Sequence, residues 1–170
     1  LAPFAGDWPV LETLVDIAAL DRVAPASPPA AEPLEPGAAA PDSGILEPIR
    51  LQGASFRVTS GSLRSNCRVT HQPDWGDIYL HLRGPLGVSP ASLLRYIVGL
   101  RRENHFHEEI CEGVYQALHD LLHPEELLVG CLYTRRGGLD INPVRASHQH
   151  LLDAHPITRA DVLTVGSLRQ

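Results

Sequence analysis

Residues 90–122 carry two consecutive apolar stripes at helical spacing, and that pair constrains the fold more than any other part of the chain. Ser89-Pro90 opens the first, a hydroxyl suited to an N-cap followed by a proline at a position where its missing N–H is not needed. Leu93, Leu94, Ile97, Val98 and Leu100 predict the buried face of a helix over 90–103, interrupted by Asn104-His105. Ile110, Cys111, Val114, Leu118, Leu121 and Leu122 predict a second helix over 107–122, stopped by Pro124. Two one-sided helices need an apolar surface to lie on, and the flanking segments supply it. In Asp77–Arg83, Ile78, Leu80 and Leu82 alternate with Tyr79 and His81, and Gly84-Pro85 ends the strand. Residues 54–66 read as a strand before it, through Phe56, Val58 and Leu63, and Leu127–Thr134 as a strand after the helices. Arg135-Arg136-Gly137-Gly138 reads as a tight hairpin turn, with Leu139 and Ile141 alternating with Asp140 and Asn142 in the returning strand. The order strand-strand-helix-helix-strand-strand predicts an α+β unit, an antiparallel sheet with both helices on one face.

The rest of the chain is harder to place. A length of 170 residues supports one domain with a core, and with 44% apolar but only 5% aromatic residues that core is mostly Leu, Val, Ile and Ala. Residues 8–23 have mixed periodicity: Val10, Leu14 and Ile17 fit a helix, while Leu14–Ile17 fits a short strand equally well. Residues 24–44, rich in Pro, Ala and Glu, read as a flexible linker because they bury too little apolar surface. The expected organisation is a remnant and linker over 1–53, one domain over 54–147 and a tail over 148–170. A net charge of −6 and a pI of about 5.8 argue against nucleic acid as a general partner. The first residues are acidic rather than basic, and no apolar run approaches the ~20 residues of a membrane span, so neither a secretory leader nor a membrane anchor is expected. Three scattered cysteines without framework spacing fit a reducing, cytoplasmic compartment. A first residue of Leu suggests a fragment or a processed chain.

The chemistry concentrates in Ser65–Trp75, where a thiol, an imidazole and a carboxylate fall within eight residues: Cys67, His71 and Asp74. On one flat strand Cys67 and Asp74 would face opposite sides, so cooperation requires a bend, expected at Gln72-Pro73. A thiol attacks as thiolate, and a free Cys ionises near a pKa of about 8.5, so Cys67 needs help at neutral pH. A carboxyl donates a proton only where its surroundings favour the neutral form, which Trp75 or a nearby thiolate would promote. Such a pair suits attack on an electrophilic carbon whose attached nitrogen must take up a proton. The plainer alternative is a buried structural thiol followed by a Pro-Asp turn.

Cys67, Thr70, Gln72, Pro73 and Asp74, at their spacing, resemble the active-site motif of the NADPH-dependent 7-cyano-7-deazaguanine reductases of queuosine biosynthesis, a tRNA-modification pathway. Ser92–Tyr96, Asn104–Glu108 and Tyr133–Pro143 agree with that family in order and spacing. The resemblance implies a tunnelling fold, whose subunits pair sheets into barrels with sites at the seams. It implies reduction of a nitrile to an aminomethyl group with NADPH, through a covalent thioimide on Cys67 with Asp74 as acid. It implies that His107 and Glu108 bind the deazaguanine and that Arg136 and Gly137 bind NADPH. By itself, Glu108 at a helix start could equally satisfy the helix dipole, and Arg135–Gly138 could be only a charged hairpin tip. The family's Glu-Ser-Lys motif has no counterpart: the matching positions read Ser89-Pro90-Ala91, and all fourteen basic residues are Arg. The chain therefore resembles the C-terminal half of the two-domain form, expected to pair with a second copy or with an N-terminal half, and expected to be weakly active alone. Two other readings stand beside it: a non-catalytic purine-binding subunit of the same fold, and a zinc hydrolase using His105, His107, Cys67 and Cys111. The latter has no Cys-x-x-Cys pair to support it, and no metal is expected.

Overall fold

The computed structural model describes residues 8–15, 42–53 and 55–154. The elements are β1 (Pro48–Arg50), β2 (Ser55–Asn66), β3 (Pro73–Arg83), β4 (Leu86–Val88), α1 (Pro90–Gly99), α2 (His107–Leu122), β5 (Glu126–Tyr133), β6 (Val144–Ala146) and α3 (Gln149–Ala154). The antiparallel main sheet runs β2-β3-β5-β6, and β1 and β4 form a separate two-stranded ribbon. Both long helices cover one face of the main sheet. There Ile78, Leu80 and Leu82 of β3 join Leu93 and Ile97 of α1 and Ile110, Val114 and Leu118 of α2 in a single buried cluster. Burial of this apolar surface, at about 25 cal/mol per Å², is the main stabilising term.

Several expectations need correction. The alternation in β3 holds, with a second buried face added to it: Tyr79 and His81 are buried too, and Trp8, Leu128 and Leu151 cover Tyr79. Trp8 meets the Tyr79 ring edge-on at 5.8 Å. Val98 is exposed, because it lies outside the arc of Leu93, Tyr96, Ile97 and Leu100, and Tyr96 is buried instead. The helix over 90–103 is α-helical only to Gly99 and tightens to a 3-10 turn over Leu100–Arg102. The returning strand is not 139–142: Leu139 and Ile141 are exposed, and pairing with β5 resumes only at Val144–Ala146. Residues 8–15 form neither a regular helix nor a strand. Val10 bridges Thr59 in parallel fashion and Leu11–Leu14 makes a 3-10 turn with Leu11 fully buried. Of the linker over 24–44, residues 24–41 lie outside the described residues. Asp42 caps the 3-10 turn Ser43–Ile45 by accepting the Gly44 N–H at 2.9 Å.

Two features of the sheet set up the site. A Cβ on Gly76 would stand 2.7 Å from the Leu132 carbonyl oxygen, so its absence lets β3 lie close on β5. The ladder continues past β5, with the Thr134 N–H on the Trp75 carbonyl at 2.8 Å, which carries the Arg135–Gly138 loop over the start of β3.

Candidate active site

The reversal between β2 and β3 lies in Arg68–His71, ahead of the Gln72-Pro73 position expected from sequence. The Cys67 N–H donates to the Gln72 carbonyl at 2.8 Å and the His71 N–H to the Cys67 carbonyl at 2.8 Å, with His71 in the left-handed region at φ 56. Pro73 instead begins β3, where its missing donor is tolerated. Folding the chain back this way makes Ser65 and Asp74 cross-strand neighbours and sets Cys67 at the end of the hairpin. The odd spacing of Cys67 and Asp74 is thus resolved by a turn.

Asp74 is buried, 2% exposed, and two elements meet it there. Arg136 of the β5–β6 loop donates from Nη1 to Oδ1 at 2.9 Å and to Oδ2 at 3.2 Å. His107, the first residue of α2, places Nε2 3.2 Å from Oδ2. Helix α2 starts at that point because β2 anchors it: the Asn66 N–H donates to the Glu103 carbonyl, the Asn66 side chain to the Arg101 carbonyl, and the His105 N–H to the Asn66 carbonyl. His107 is itself buried and stacks on Tyr133 with ring centroids 3.8 Å apart and planes 8° apart. Its Nδ1 has no hydrogen-bond partner among the described residues.

The other end of the Arg136 guanidinium is also engaged. Nη2 donates to the Thr70 hydroxyl at 2.8 Å and to the Gln72 side-chain oxygen at 3.2 Å. Cys67 sits beside the same groups, half-buried. Its thiol is lowered from the ordinary 9.0 to about 7, chiefly by the hydroxyl and backbone N–H of Thr70, against the opposing effect of burial, with smaller help from the Val69 N–H and Arg136. Contact with Cys67 and the charge of Asp74 raise Arg136 in turn. Trp75 does not shield Asp74 from water as the sequence suggested, for it is partly exposed and lies under the Arg64 guanidinium at 5.2 Å.

Glu108 is exposed on the first turn of α2, with no ion-pair or hydrogen-bond partner among the described residues. Its neighbour Glu109 accepts the Phe106 N–H at 2.8 Å and pairs with Arg68 at 2.8 Å, and both carboxylates stand in the first turn, where the helix dipole favours them. Gly137 and Gly138 have φ of 54 and 84, the positive pair a type I′ turn requires, and a Cβ at either would meet open space. The turn is closed by mutual hydrogen bonds between Arg136 and Leu139. With two guanidiniums and this exposed turn, the loop has donors of the kind a phosphate accepts. Both guanidiniums are paired with carboxylates, Arg135 with Asp140 at 3.1 Å and Arg136 with Asp74. The zinc set does not assemble: Cys111 turns to carbonyls in the core and His105 pairs with Glu103 and Glu109. Among the described residues no three His, Cys, Asp or Glu side chains are grouped to hold a metal ion.

A family model described as QueF-like protein matches residues 73–151. A reductase of Hahella chejuensis named NADPH-dependent 7-cyano-7-deazaguanine reductase is 44% identical over 121 residues, which is 70% of this chain and 43% of that protein. Its namesake from Psychrobacter cryohalolentis is 43% identical over 117 residues, 66% of this chain and 41% of the other. Over those stretches the chain is similar to these reductases. It spans less than half the length of the curated relatives it matches. A crystal structure of the archaeosine synthase QueF-Like in the apo form superposes with a TM-score of 0.53 at 13% identity, covering 57% of this chain and 96% of that one. That likeness supports the α+β tunnelling fold.

Thr70, Gln72 and Tyr133 are the contributors that residue-by-residue reasoning missed. Thr70 and Gln72 stand inside the motif itself, and their alternation around Asp74 was the available signal. The Tyr133 platform beneath His107 comes from a contact 26 positions apart (133 − 107), which no local pattern encodes.

Proposed function

We propose that this chain bears the nucleophile and acid of an NADPH-dependent reduction of 7-cyano-7-deazaguanine to its aminomethyl form, the nitrile-reduction step of queuosine biosynthesis. The observation that carries the reading is the Cys67 thiol, ionising near pH 7, beside a guanidinium that also grips the buried Asp74. The Cys67 sulfur adds to the nitrile carbon, the C–N triple bond becomes a double bond, and Asp74 passes a proton to the nitrogen, leaving a thioimide. His107, fixed by its stack on Tyr133, and Glu108, with both carboxylate oxygens unengaged, orient the ring; Glu108 suits the paired N–H groups of a guanine-like edge. Held orientation of this kind contributes on the order of 7–11 kcal/mol at best to lowering a barrier. Arg136 and the Gly137 turn would hold a phosphate of NADPH, which when bound would supply the hydride that the reduction needs. A second copy, or an N-terminal half of the same fold, completes the seam.

The test is intact-mass spectrometry after incubation with 7-cyano-7-deazaguanine. Addition expels nothing, so the expected gain equals the whole nitrile, and Cys67→Ala abolishes it. No gain in a folded chain that still binds the ligand would leave a purine-binding module in place of an enzyme. Because the chain contains no Lys and lacks the Glu-Ser-Lys block, adduct without sustained NADPH oxidation is expected from it alone.

A further inference from the structure

The position of Arg136 conflicts with both duties assigned around it. While Arg136 donates to both of its oxygens, Asp74 does not meet a substrate with a free carboxyl. Nor can a guanidinium committed to Asp74, Thr70 and Gln72 offer the same N–H groups to a phosphate. The loop that carries Arg136 lies at the surface. It turns on two glycines in the left-handed region with open space beside each, and Leu139 at its far side is two-thirds exposed, 67%. Arg136 itself has a solvent-facing edge, 30% exposed, so an anion can reach it from outside.

We propose that Arg136 is an anion-released latch: in the free chain it spans Asp74, Thr70 and Gln72 across the mouth of the Cys67 pocket, and a phosphate-bearing ligand draws it away. Release frees the Arg136 N–H groups for the phosphate and leaves the Asp74 carboxyl with His107 alone. The nitrile site and the cofactor site are thereby coupled through one side chain. The inference rests on the reading that this loop meets a cofactor phosphate. It adds that the loop's charge must first be taken from the acid.

Competition of this kind has a thermodynamic signature. Whatever holds the latch closed weakens phosphate binding, so removing a closing contact must tighten it. The probe is inorganic pyrophosphate, titrated calorimetrically into the full chain. Asp74→Asn is expected to bind pyrophosphate about 10-fold more tightly than the unaltered chain, within the usual range of coupling between sites. Thr70→Val removes a neutral closing contact without changing the charge of the pocket, and is expected to tighten binding about threefold. Arg136→Gln is expected to abolish it. Unchanged affinity in Thr70→Val would reduce the Asp74 effect to charge repulsion and overturn the latch. Equal affinity in all the variants, or no binding by any, would overturn it as well. Neither outcome touches the nitrile adduct on Cys67, so a failed latch and a failed reductase remain distinguishable.

Discussion

At the middle of the sheet, Cys131 is a fully buried free thiol beside Cys111, whose own thiol turns to the carbonyls of Val129 and Pro143 at 3.5 and 3.6 Å. Contact with Cys111, together with burial, pushes the Cys131 thiol well above its ordinary value. At the end of the same sheet, Cys67 has a hydroxyl, backbone N–H groups and a guanidinium around it, and its thiol moves in the opposite direction, to about 7. The residue type is the same and the two places are joined by one ladder of hydrogen bonds. What differs is whether the surroundings can solvate a negative sulfur. The sheet centre offers carbonyl oxygens and hydrocarbon, which favour S–H, whereas the turn offers donors, which favour S⁻. Reactivity here is a property of where the backbone reverses.

The largest expected effect tests that contrast directly. Brief treatment of the native chain with iodoacetamide at pH 7.5 is expected to label Cys67 alone, with Cys111 and Cys131 protected by at least about a thousandfold until the chain unfolds. Peptide mass mapping reads it, and native labelling of Cys131 would break the comparison. Next comes stability. Leu127→Ala, which opens a hole in the core cluster that also holds Cys111 and Cys131, is expected to cost about 2–5 kcal/mol in urea unfolding, whereas Cys67→Ala at the turn is expected to stay within about 0.5 kcal/mol.

A smaller effect sharpens the account of the turn. The pH profile of Cys67 alkylation is expected to have its midpoint near 7, and Thr70→Val, removing the largest single cause, is expected to move that midpoint upward. The linked stability has a definite sign. The folded value lies below the unfolded one, so the thiolate's contribution is fully present above about 9 and is lost as pH falls through 7. The smallest effect concerns the far edge of the sheet. A hydrogen bond from Arg83, helped by His150 and opposed by burial, lowers Glu126 to about 2. Its stabilisation is therefore present above the ordinary 4.5 and is lost as pH falls towards 2, and Arg83→Ala is expected to weaken that pH dependence, read by urea unfolding across the same range.

Legibility in the sequence followed the range of the interactions. Helix α2 runs over 107–122 as its stripe predicts, because apolar spacing and Pro124 are local signals. The α+β order, the helices on one sheet face and the buried Cys111 and Cys131 followed from the same kind of pattern. The misread parts depend on contacts distant in the chain. The cover over Tyr79 could not be read, because nothing near it in sequence announces Trp8 and Leu151. Residues 139–142 alternate as a strand would, yet β5 takes up its partner only at Val144. Within the site, Cys67, Asp74, His107 and Arg136 were all identified from motifs and all converge. Their arrangement was not legible, since a motif names residues without saying that Arg136 will lie on the acid. Glu108 is present on the surface beside them, and its service to a ligand is part of the proposal above.

The segment from Trp8 to Val15 has a consequence for anyone shortening this chain. It wraps the outer edge of β2, with Trp8 on one side of the sheet, Leu11 on the other, and Glu12 accepting from both Ser60 and Ser62 at 2.6 and 2.7 Å. A version trimmed to begin at Asp42 would leave those two hydroxyls without their acceptor, uncover the groove between Val58 and Leu93, and bare a strand border to strangers. Such a truncation is a recipe for clumping, even though every residue of the pocket would still be there.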